Sequence, residues 1–267
     1  MLKKSNFGTN FKQKKMKITI NPKYDFLSDF INSLPDTFEK EGKSIHKLRN
    51  EIKIFEKNGL KINVKSYKIP IFINRIAYSF FRPSKAKRSY KYALQLLEKG
   101  FDTAEPIAVI EEYKCGLLRR SFFVSIHSDY SGDFRSFSNT DESNEGRYDL
   151  IETFARYTAS LHESEVLHTD YSGGNILYEK IDGEYKFLLI DINRMKFCKV
   201  TQDMGCYNFC RLQGNDEYFD LLAKHYAMAR GFDVDECVKL FHKYKNEDRK
   251  KRAKRRERKQ KYASIFK

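Results

Sequence analysis

Residues 167–178 read LHTDYSGGNILY, placing Asp170 and Asn175 five positions apart on a Gly-containing loop that runs into Ile-Leu-Tyr. At that spacing on a loop, both side chains can face the same side. A short carboxylate is suited to orient a hydroxyl and receive its proton. A neutral amide oxygen is suited to a hard cation. A second acid, Asp191, ends the apolar run KFLLID after a hairpin signal, and a hairpin returns the chain to its origin. Asp191 should therefore come back near Asn175. Asn and Asp together suit Mg²⁺, which takes few protein oxygens and otherwise substrate phosphates and water. Base, amide ligand and acid ligand in this order form the layout of a phosphoryl-transfer site. An Asp in a Gly-containing loop is more often an Asx-turn or a helix cap. The reading therefore rests on the combination: His-x-Asp, Asn five later, an apolar strand, a hairpin, and a strand ending in Asp.

The flanking pattern supplies elements to position these groups. Residues 43–56 and 60–69 alternate polar and apolar and read as two strands joined at Lys57-Asn58-Gly59. Pro83-Ser84 opens a helix in which Ala86, Ala93, Leu94 and Leu97 recur at helical spacing, and Gly100 ends it. Strands are expected around 106–112 and 117–127, with Lys114-Cys115-Gly116 at the turn. A polar stretch over 128–147 divides the chain. A helix then covers about 148–164, with Ile151, Phe154, Thr158 and Leu161 on one face. Asp182-Gly183 is a strong turn signal between the strands NILYEK and EYKFLLID. From about 201 onward the pattern is helical. A strand-rich half followed by a helix-rich half predicts a two-lobed α+β fold with a cleft between the lobes.

Length and charge narrow the setting. The 267 residues suffice for one large domain or two small lobes, with 40% apolar content for a core. No run of about 18 apolar residues occurs, so no membrane span is expected, and no secretory leader is read in the basic N-terminus. The net charge of +15 lies at the ends: residues 1–17 carry +6 and residues 243–261 carry +9, leaving a nearly neutral body. Residues 1–17 are expected to be disordered, and Met16 is a candidate start. The five Cys residues, 115, 198, 206, 210 and 237, are odd in number and fit a reducing cytosol. Cys206 and Cys210 lack the second pair of ligands a metal site would want.

The motifs H168-T-D170-Y-S-G-G-N175-I-L and L-L-I-D191 resemble the catalytic and metal-binding loops of the protein-kinase-like superfamily. Small residues just before the Asn are closer to aminoglycoside phosphotransferases, RIO kinases and lipopolysaccharide-core kinases than to ordinary protein kinases. K47-L-R-N50, V64-K65-S-Y, F81-R-P-S-K-A-K-R-S-Y90, D191-I-N-R194 and N208-F-C-R-L212 together are similar to the Kdo/WaaP lipopolysaccharide kinase family over about residues 42–240. The resemblance implies an N-lobe over 18–127 with a sheet and one main helix, a hinge and linker over 128–147, and a helical C-lobe over 148–242. A basic tail over 243–267 follows. It implies ATP and Mg²⁺, with Asp170 as the base, Asn175 and Asp191 on the metal, and Lys65 on the α- and β-phosphates. His168 would brace the loop. Arg194 would pair with phosphate or with the catalytic loop, or lie at the surface.

Three departures qualify this. Only Gly42 stands near the expected phosphate-covering turn, so KLRN would cap the nucleotide differently. The helix that normally supplies a Glu partner for Lys65 carries Ser89 on its apolar face. No A-P-E follows Asp191, which argues for a small or glycan hydroxyl as acceptor. The implied activity is therefore phosphorylation of a heptose or Kdo hydroxyl on the lipopolysaccharide core or a lipid-linked sugar. The implied location is cytoplasmic, peripheral to the inner face of the inner membrane, with the basic tail on anionic lipid. Two alternatives stay open: a RIO-like atypical protein kinase with its tail on RNA, and a non-catalytic kinase-like binding module. Nucleic acid is otherwise not an expected partner.

Overall fold

The computed structural model describes residues 14–135 and 145–265. These fall into two compact units, one ending at Asp129 and the other beginning at Tyr130.

Among its described residues, the first unit is built on a six-stranded sheet in the order β1-β5-β6-β4-β3-β2. Its strands are β1 (Lys14–Ile20), β2 (Lys43–Lys47), β3 (Glu51–Lys57), β4 (Leu60–Tyr67), β5 (Pro106–Lys114) and β6 (Leu117–Ile126). Three helices accompany them: α1 (Ser28–Thr37), α2 (Phe72–Ile76) and α3 (Lys85–Glu98). One face of the sheet presents Phe55, Ile62, Val64, Ile110, Phe122 and Val124. These pack with Ile31 and Leu34 of α1 and with Phe38, in the core. Side chains alternate along a strand, so Lys65 and Tyr67 point to the other face. There the Tyr67 hydroxyl meets Ser89 Oγ of α3 at 2.8 Å.

Several expectations over this half need correction. The stretch 43–56 is two strands, because the KLRN turn reverses the chain at 48–50; Leu48 N–H donates to Asn50 O at 3.2 Å. Residues 14–17, expected within a disordered segment, belong to β1, where they pair with β5 from Lys14↔Lys114 to Lys17↔Glu111. The rest of that segment, 1–13, lies outside the described residues. The buried face of α3 runs Ala86, Ser89, Ala93 and Leu96. Leu94, expected on it, is exposed, because spacings of three and four residues step past it. Ser84 caps α3 as expected, accepting from Lys87 N–H. The helices α1 and α2 come in addition to the one main helix expected.

The second unit is mainly helical. α4 (Glu145–Glu163), α5 (Gln202–Asn208), α6 (Asp216–Arg230) and α7 (Val234–Ile265) surround short strands. The strands β7 (Gly132–Asp133), β9 (Ile176–Ile181) and β10 (Glu184–Leu189) form one sheet, while β8 (Val166–His168) pairs antiparallel with β11 (Met195–Phe197). Asp182 and Gly183 both take positive φ, as the tight β9–β10 turn requires. Phe154, Tyr171, Phe209, Tyr226 and Phe241 are fully buried, with Phe209 4.7 Å from Phe241 between ring centroids. Ile151, Phe154, Thr158 and Leu161 of α4 are all buried, on the face their spacing marks.

The basic tail expected over 243–267 is not separate from this unit. It continues α7, whose Cys237, Phe241 and Tyr244 are buried. Lys245, within the charge run, is buried as well, and its ammonium donates to Asp216 Oδ1 at 2.6 Å. The expected linker also contains structure: β7 lies at 132–133 and α4 begins at 145. Residues 136–144 lie outside the described residues.

Candidate active site

Both acids and the amide arise in the second unit, from the loop after β8 and the end of β10. The loop is closed by its own backbone. Ser172 N–H donates to Asp170 O and Asn175 N–H to Ser172 O, each at 2.8 Å. Asn175 Nδ2 donates to Asp170 O at 2.8 Å. That bond turns the amide nitrogen toward the loop and its carbonyl oxygen away, leaving the neutral oxygen as the group offered to a cation. At the base of the hairpin, Ile190 N–H donates to Asn175 O at 3.0 Å. The chain thus brings Asp191 back beside Asn175, as the hairpin argument anticipated. Asp191 takes a left-handed conformation (φ 54°, ψ 39°), uncommon for a residue with a Cβ but tolerated by Asp. Its Oδ1 accepts from Asn193 Nδ2 at 2.8 Å.

His168 joins the two acids. Its Nδ1 accepts from Asp170 N–H at 3.1 Å, and its Nε2 meets Ile190 O at 3.0 Å. A ring nitrogen that accepts from a backbone N–H carries no proton, so Nε2–H is the donor to the carbonyl and the ring is neutral. Burial pushes the imidazole pKa down, which keeps it so. One fully buried side chain therefore ties the Asp170 backbone to the residue preceding Asp191.

A second neutral imidazole supports the first. Asn208 Nδ2 donates to His168 O at 3.0 Å, and its Oδ1 faces His162 Nε2 at 3.1 Å. Because that oxygen can only accept, His162 Nε2 bears the proton. Nδ1 then accepts from the Tyr226 hydroxyl at 2.9 Å. Burial lowers the His162 pKa to about 4. Gly205 lies against this chain, and a Cβ there would sit 1.9 Å from the Tyr226 hydroxyl.

The glycines before Asn175 have a packing cause. A Cβ on Gly173 would stand 2.7 Å from the Phe134 carbonyl carbon, because the backbone at 134–135 crosses directly over it. Phe134 N–H donates to Gly173 O at 3.1 Å. On Gly174 a Cβ would meet Arg135 Nε at 2.9 Å.

Two guanidinium groups flank the Asp170 carboxylate. Arg211 Nη1 donates to Oδ1, and Arg194 Nη1 stands 3.8 Å from Oδ2. Arg194, expected to pair with phosphate, to pair with the loop, or to lie at the surface, is exposed and stands near the loop's carboxylate. Arg211 and Asn208 received no role from the sequence, although both stand in N208-F-C-R-L212, whose match to the family was the available signal. The Arg211 carbonyl in turn accepts from Arg252 Nη2 of α7 at 3.3 Å. Beside Arg211, a cavity of about 260 Å³ is lined by Thr169, Lys196, Tyr207 and Asn208, among others.

Lys65 belongs to the first unit, in β4, paired with Ile52 on one side and Phe123 on the other. It is half-buried, with its ammonium 5.4 Å from the Tyr67 ring centroid. Ser89 of α3, the helix that by resemblance would supply a Glu partner for Lys65, bonds Tyr67. Gly42, considered for the phosphate-covering turn, lies before β2 at φ 80°, where a Cβ would be 2.6 Å from the Phe55 ring. The hairpin turn itself is Leu48-Arg49-Asn50. Cys206 and Cys210 are buried, and the Cys206 sulfur faces that of Cys237 at 3.8 Å.

The donor set fits Mg²⁺. A carboxylate residue and an amide residue, brought together by the backbone bond from Ile190 N–H to Asn175 O, are the sparse protein contribution this ion accepts when phosphates and water complete its shell. Among the described residues no helix is long and apolar enough to cross a membrane.

Comparison with known proteins agrees with this architecture. The model of the lipopolysaccharide kinase (Kdo/WaaP) family matches residues 39–212. Among solved structures, WaaP in complex with acyl carrier protein aligns at TM-score 0.59 and 15% identity, covering 88% of this chain and 98% of that one. At that identity the likeness shows the fold, and it bears out the expected α+β arrangement with a β-rich first region and a helical second. The Rio2 kinase–ADP/Mg²⁺–phosphoaspartate complex from Chaetomium thermophilum aligns at TM-score 0.41 and 14% identity, over 82% of this chain and 66% of that one. No curated protein matches the sequence.

Proposed function

Since the chain belongs to the lipopolysaccharide kinase (Kdo/WaaP) family, we propose that it transfers the γ-phosphoryl group of ATP to a sugar hydroxyl, on a heptose or Kdo of the lipopolysaccharide inner core. The observation that carries this reading is the single buried imidazole of His168 bonded to both Asp170 N–H and Ile190 O. It holds the base and the metal-binding acid in one rigid piece, the preorganisation that phosphoryl transfer needs.

In this reading the acceptor hydroxyl attacks the γ-phosphorus, the bond to the β–γ bridging oxygen breaks, and ADP leaves. The Asp170 carboxylate orients the hydroxyl and takes its proton. Asn175 and Asp191 would hold Mg²⁺, which when bound neutralises developing charge on the phosphates. Lys65 would pair with the α- and β-phosphates. Arg211 and Arg194 would hold the Asp170 carboxylate aimed until an acceptor hydroxyl displaces one of them. An anionic substituent on the sugar, a carboxylate or a neighbouring phosphate, is a natural alternative partner for the displaced guanidinium. The cavity beside Arg211 offers room for such a group. A membrane-embedded acceptor of this kind would place the protein at the cytoplasmic face of the inner membrane.

The test is incubation of the purified chain with labelled ATP, Mg²⁺, and lipopolysaccharide isolated from cells without the gene. Label should enter the lipopolysaccharide with the wild-type chain and not with Asp170→Ala. Incorporation into cell-extract protein alone would instead favour an atypical protein kinase. Equal transfer by Asp170→Ala would remove the base assignment.

A further inference from the structure

Between Glu56 and Glu98 the sequence contains ten Lys or Arg and no Asp or Glu. Within this stretch, α2 and the helical turn Ala77–Phe81 that continues it reverse the usual arrangement of a surface helix. Their polar side chains hold the segment to the sheet. Arg75 Nε donates to Leu118 O at 2.9 Å, and Ser79 Oγ accepts from Leu118 N–H at 2.8 Å while donating to Arg75 O at 2.6 Å. The apolar side chains point outward: Ile71, Phe72, Ile73, Phe80 and Phe81 are between 65% and 82% exposed. Phe72 and Phe80, like Ile73 and Phe81, recur eight residues apart, two helical intervals of four, and so share a side of the helix.

Water is a poor partner for such a face. Each side chain forgoes the free energy of burial, and a cluster of exposed large apolar groups marks an interaction surface. Cations follow directly in sequence. Arg82, Lys87 and Lys91 are exposed, Lys85 and Arg88 half-exposed. The Arg82 and Arg88 guanidiniums lie over the Tyr78 ring, 4.9 and 5.8 Å from its centroid. Apolar insertion beside Tyr and basic residues is the composition of interfacial membrane helices.

We propose that residues 69–91 dock the first unit on an anionic lipid bilayer. The side chains of Ile71, Phe72, Ile73, Phe80 and Phe81 would enter the boundary between headgroups and acyl chains, with the cations of 82–91 meeting lipid phosphates. Charge decides against a second copy of the chain, since two such acid-free surfaces would set cations against cations. It also separates this face from the exposed part of α7, which is basic but carries little apolar surface, and so suits polyanions in general without insertion. The proposal stands apart from the kinase reading, because vesicles alone test it.

The experiment is co-sedimentation of the full chain with phosphatidylglycerol-containing vesicles and, separately, with pure phosphatidylcholine vesicles. Binding to the anionic vesicles should exceed binding to the neutral ones by about tenfold or more. The combined variant Phe72→Ser, Ile73→Ser, Phe80→Ser, Phe81→Ser should lose about tenfold in bound fraction, while keeping its thermal midpoint. Gln substitution of the Lys and Arg residues over 254–259 should retain most of the binding. Wild-type binding by the four-site variant, or loss of binding on changing 254–259 alone, overturns the proposal. So does a lipid-free dimer that the four-site variant dissolves. Should the combined variant fail to fold, Phe80→Cys in a Cys115→Ser background, labelled with an environment-sensitive fluorophore, supplies the second measurement. Its emission should shift to the blue with anionic vesicles, and an unchanged spectrum overturns the proposal equally.

Discussion

Lys65 and Asp170 are held by different means. Lys65 lies in a strand with neighbours on both sides, Ile52 and Phe123, within a register that runs seven residue pairs on one side and six on the other. Its backbone position is shared among many hydrogen bonds, none of them individually decisive. Asp170 sits on a loop with no such ladder. Its place depends on one short backbone turn, in which Ser172 N–H donates to its carbonyl, and on single side chains: His168 on its N–H, Asn175 on its carbonyl, Arg211 and Arg194 on its carboxylate. Behind His168 stand Asn208, His162 and Tyr226, linked one to the next, with Arg230 Nη1 donating to the Tyr226 hydroxyl. A sheet spreads positional information, whereas a loop concentrates it. The loop region should therefore be brittle to single substitutions and to protonation, and the sheet region tolerant.

The largest effect tests the end of the loop network. Asp170→Asn keeps the shape and removes the proposed proton acceptor. It should lower kcat by about 10²–10⁴-fold while the thermal shift produced by Mg·ATP stays near wild type.

Acid comes next. The His162 pKa is near 4 in the folded chain against an ordinary value of 6.5. Between those values the unfolded chain holds the additional proton. This contribution to stability is therefore fully present above pH 6.5 and lost as the pH falls toward 4, amounting to about 3 kcal/mol. His46 of the first unit is exposed and its His127 half-exposed. Hydrogen exchange at pH 5 against pH 7 should accordingly show loosening around 158–175 and 202–230 ahead of the six-stranded sheet. Loosening of the sheet first would break the comparison.

Gly173→Ala pushes a methyl into the backbone at 134–135. It should cost about 2 kcal/mol in urea unfolding, with a fall in kcat of tenfold or more if the loop moves by about 1 Å.

The smallest effect is expected in the sheet region. Ser89→Ala removes the hydroxyl that meets the Tyr67 hydroxyl and should cost about 1 kcal/mol, with kcat within about threefold of wild type. A loss of activity as large as that of His168→Ala would show that Lys65 depends on this contact in the way Asp170 depends on His168.

Much of the candidate site was legible, for reasons of chain locality. Asp170 and Asn175 are five residues apart, and the β9–β10 hairpin leaves Asp191 little choice but to return beside them. The Asp182-Gly183 turn and the Ser84 cap were read from local chemistry in the same way. The stretch 43–56 was misread because its alternation continues through KLRN, and alternation alone does not reveal where a strand reverses. The helix α1 was not anticipated, although Ile31 and Leu34 stand at helical spacing. The run 243–261 reads as a separate basic tail because composition cannot show that Lys245 meets Asp216 across the unit.

The sequence by itself determined the order of the proposed site groups: an acid, an amide five on, and an acid one hairpin later. Each relation spans few enough residues for backbone geometry to dictate it. Only the tertiary structure decided that Arg211 seals the Asp170 carboxylate, that Gly173 has no room for a methyl, and that Phe72 and Phe80 point outward while Arg75 and Ser79 hold the sheet. Those outcomes depend on chain segments about 40 residues apart coming into contact. Which segments meet is set by the packing of whole faces, a property that no local pattern encodes.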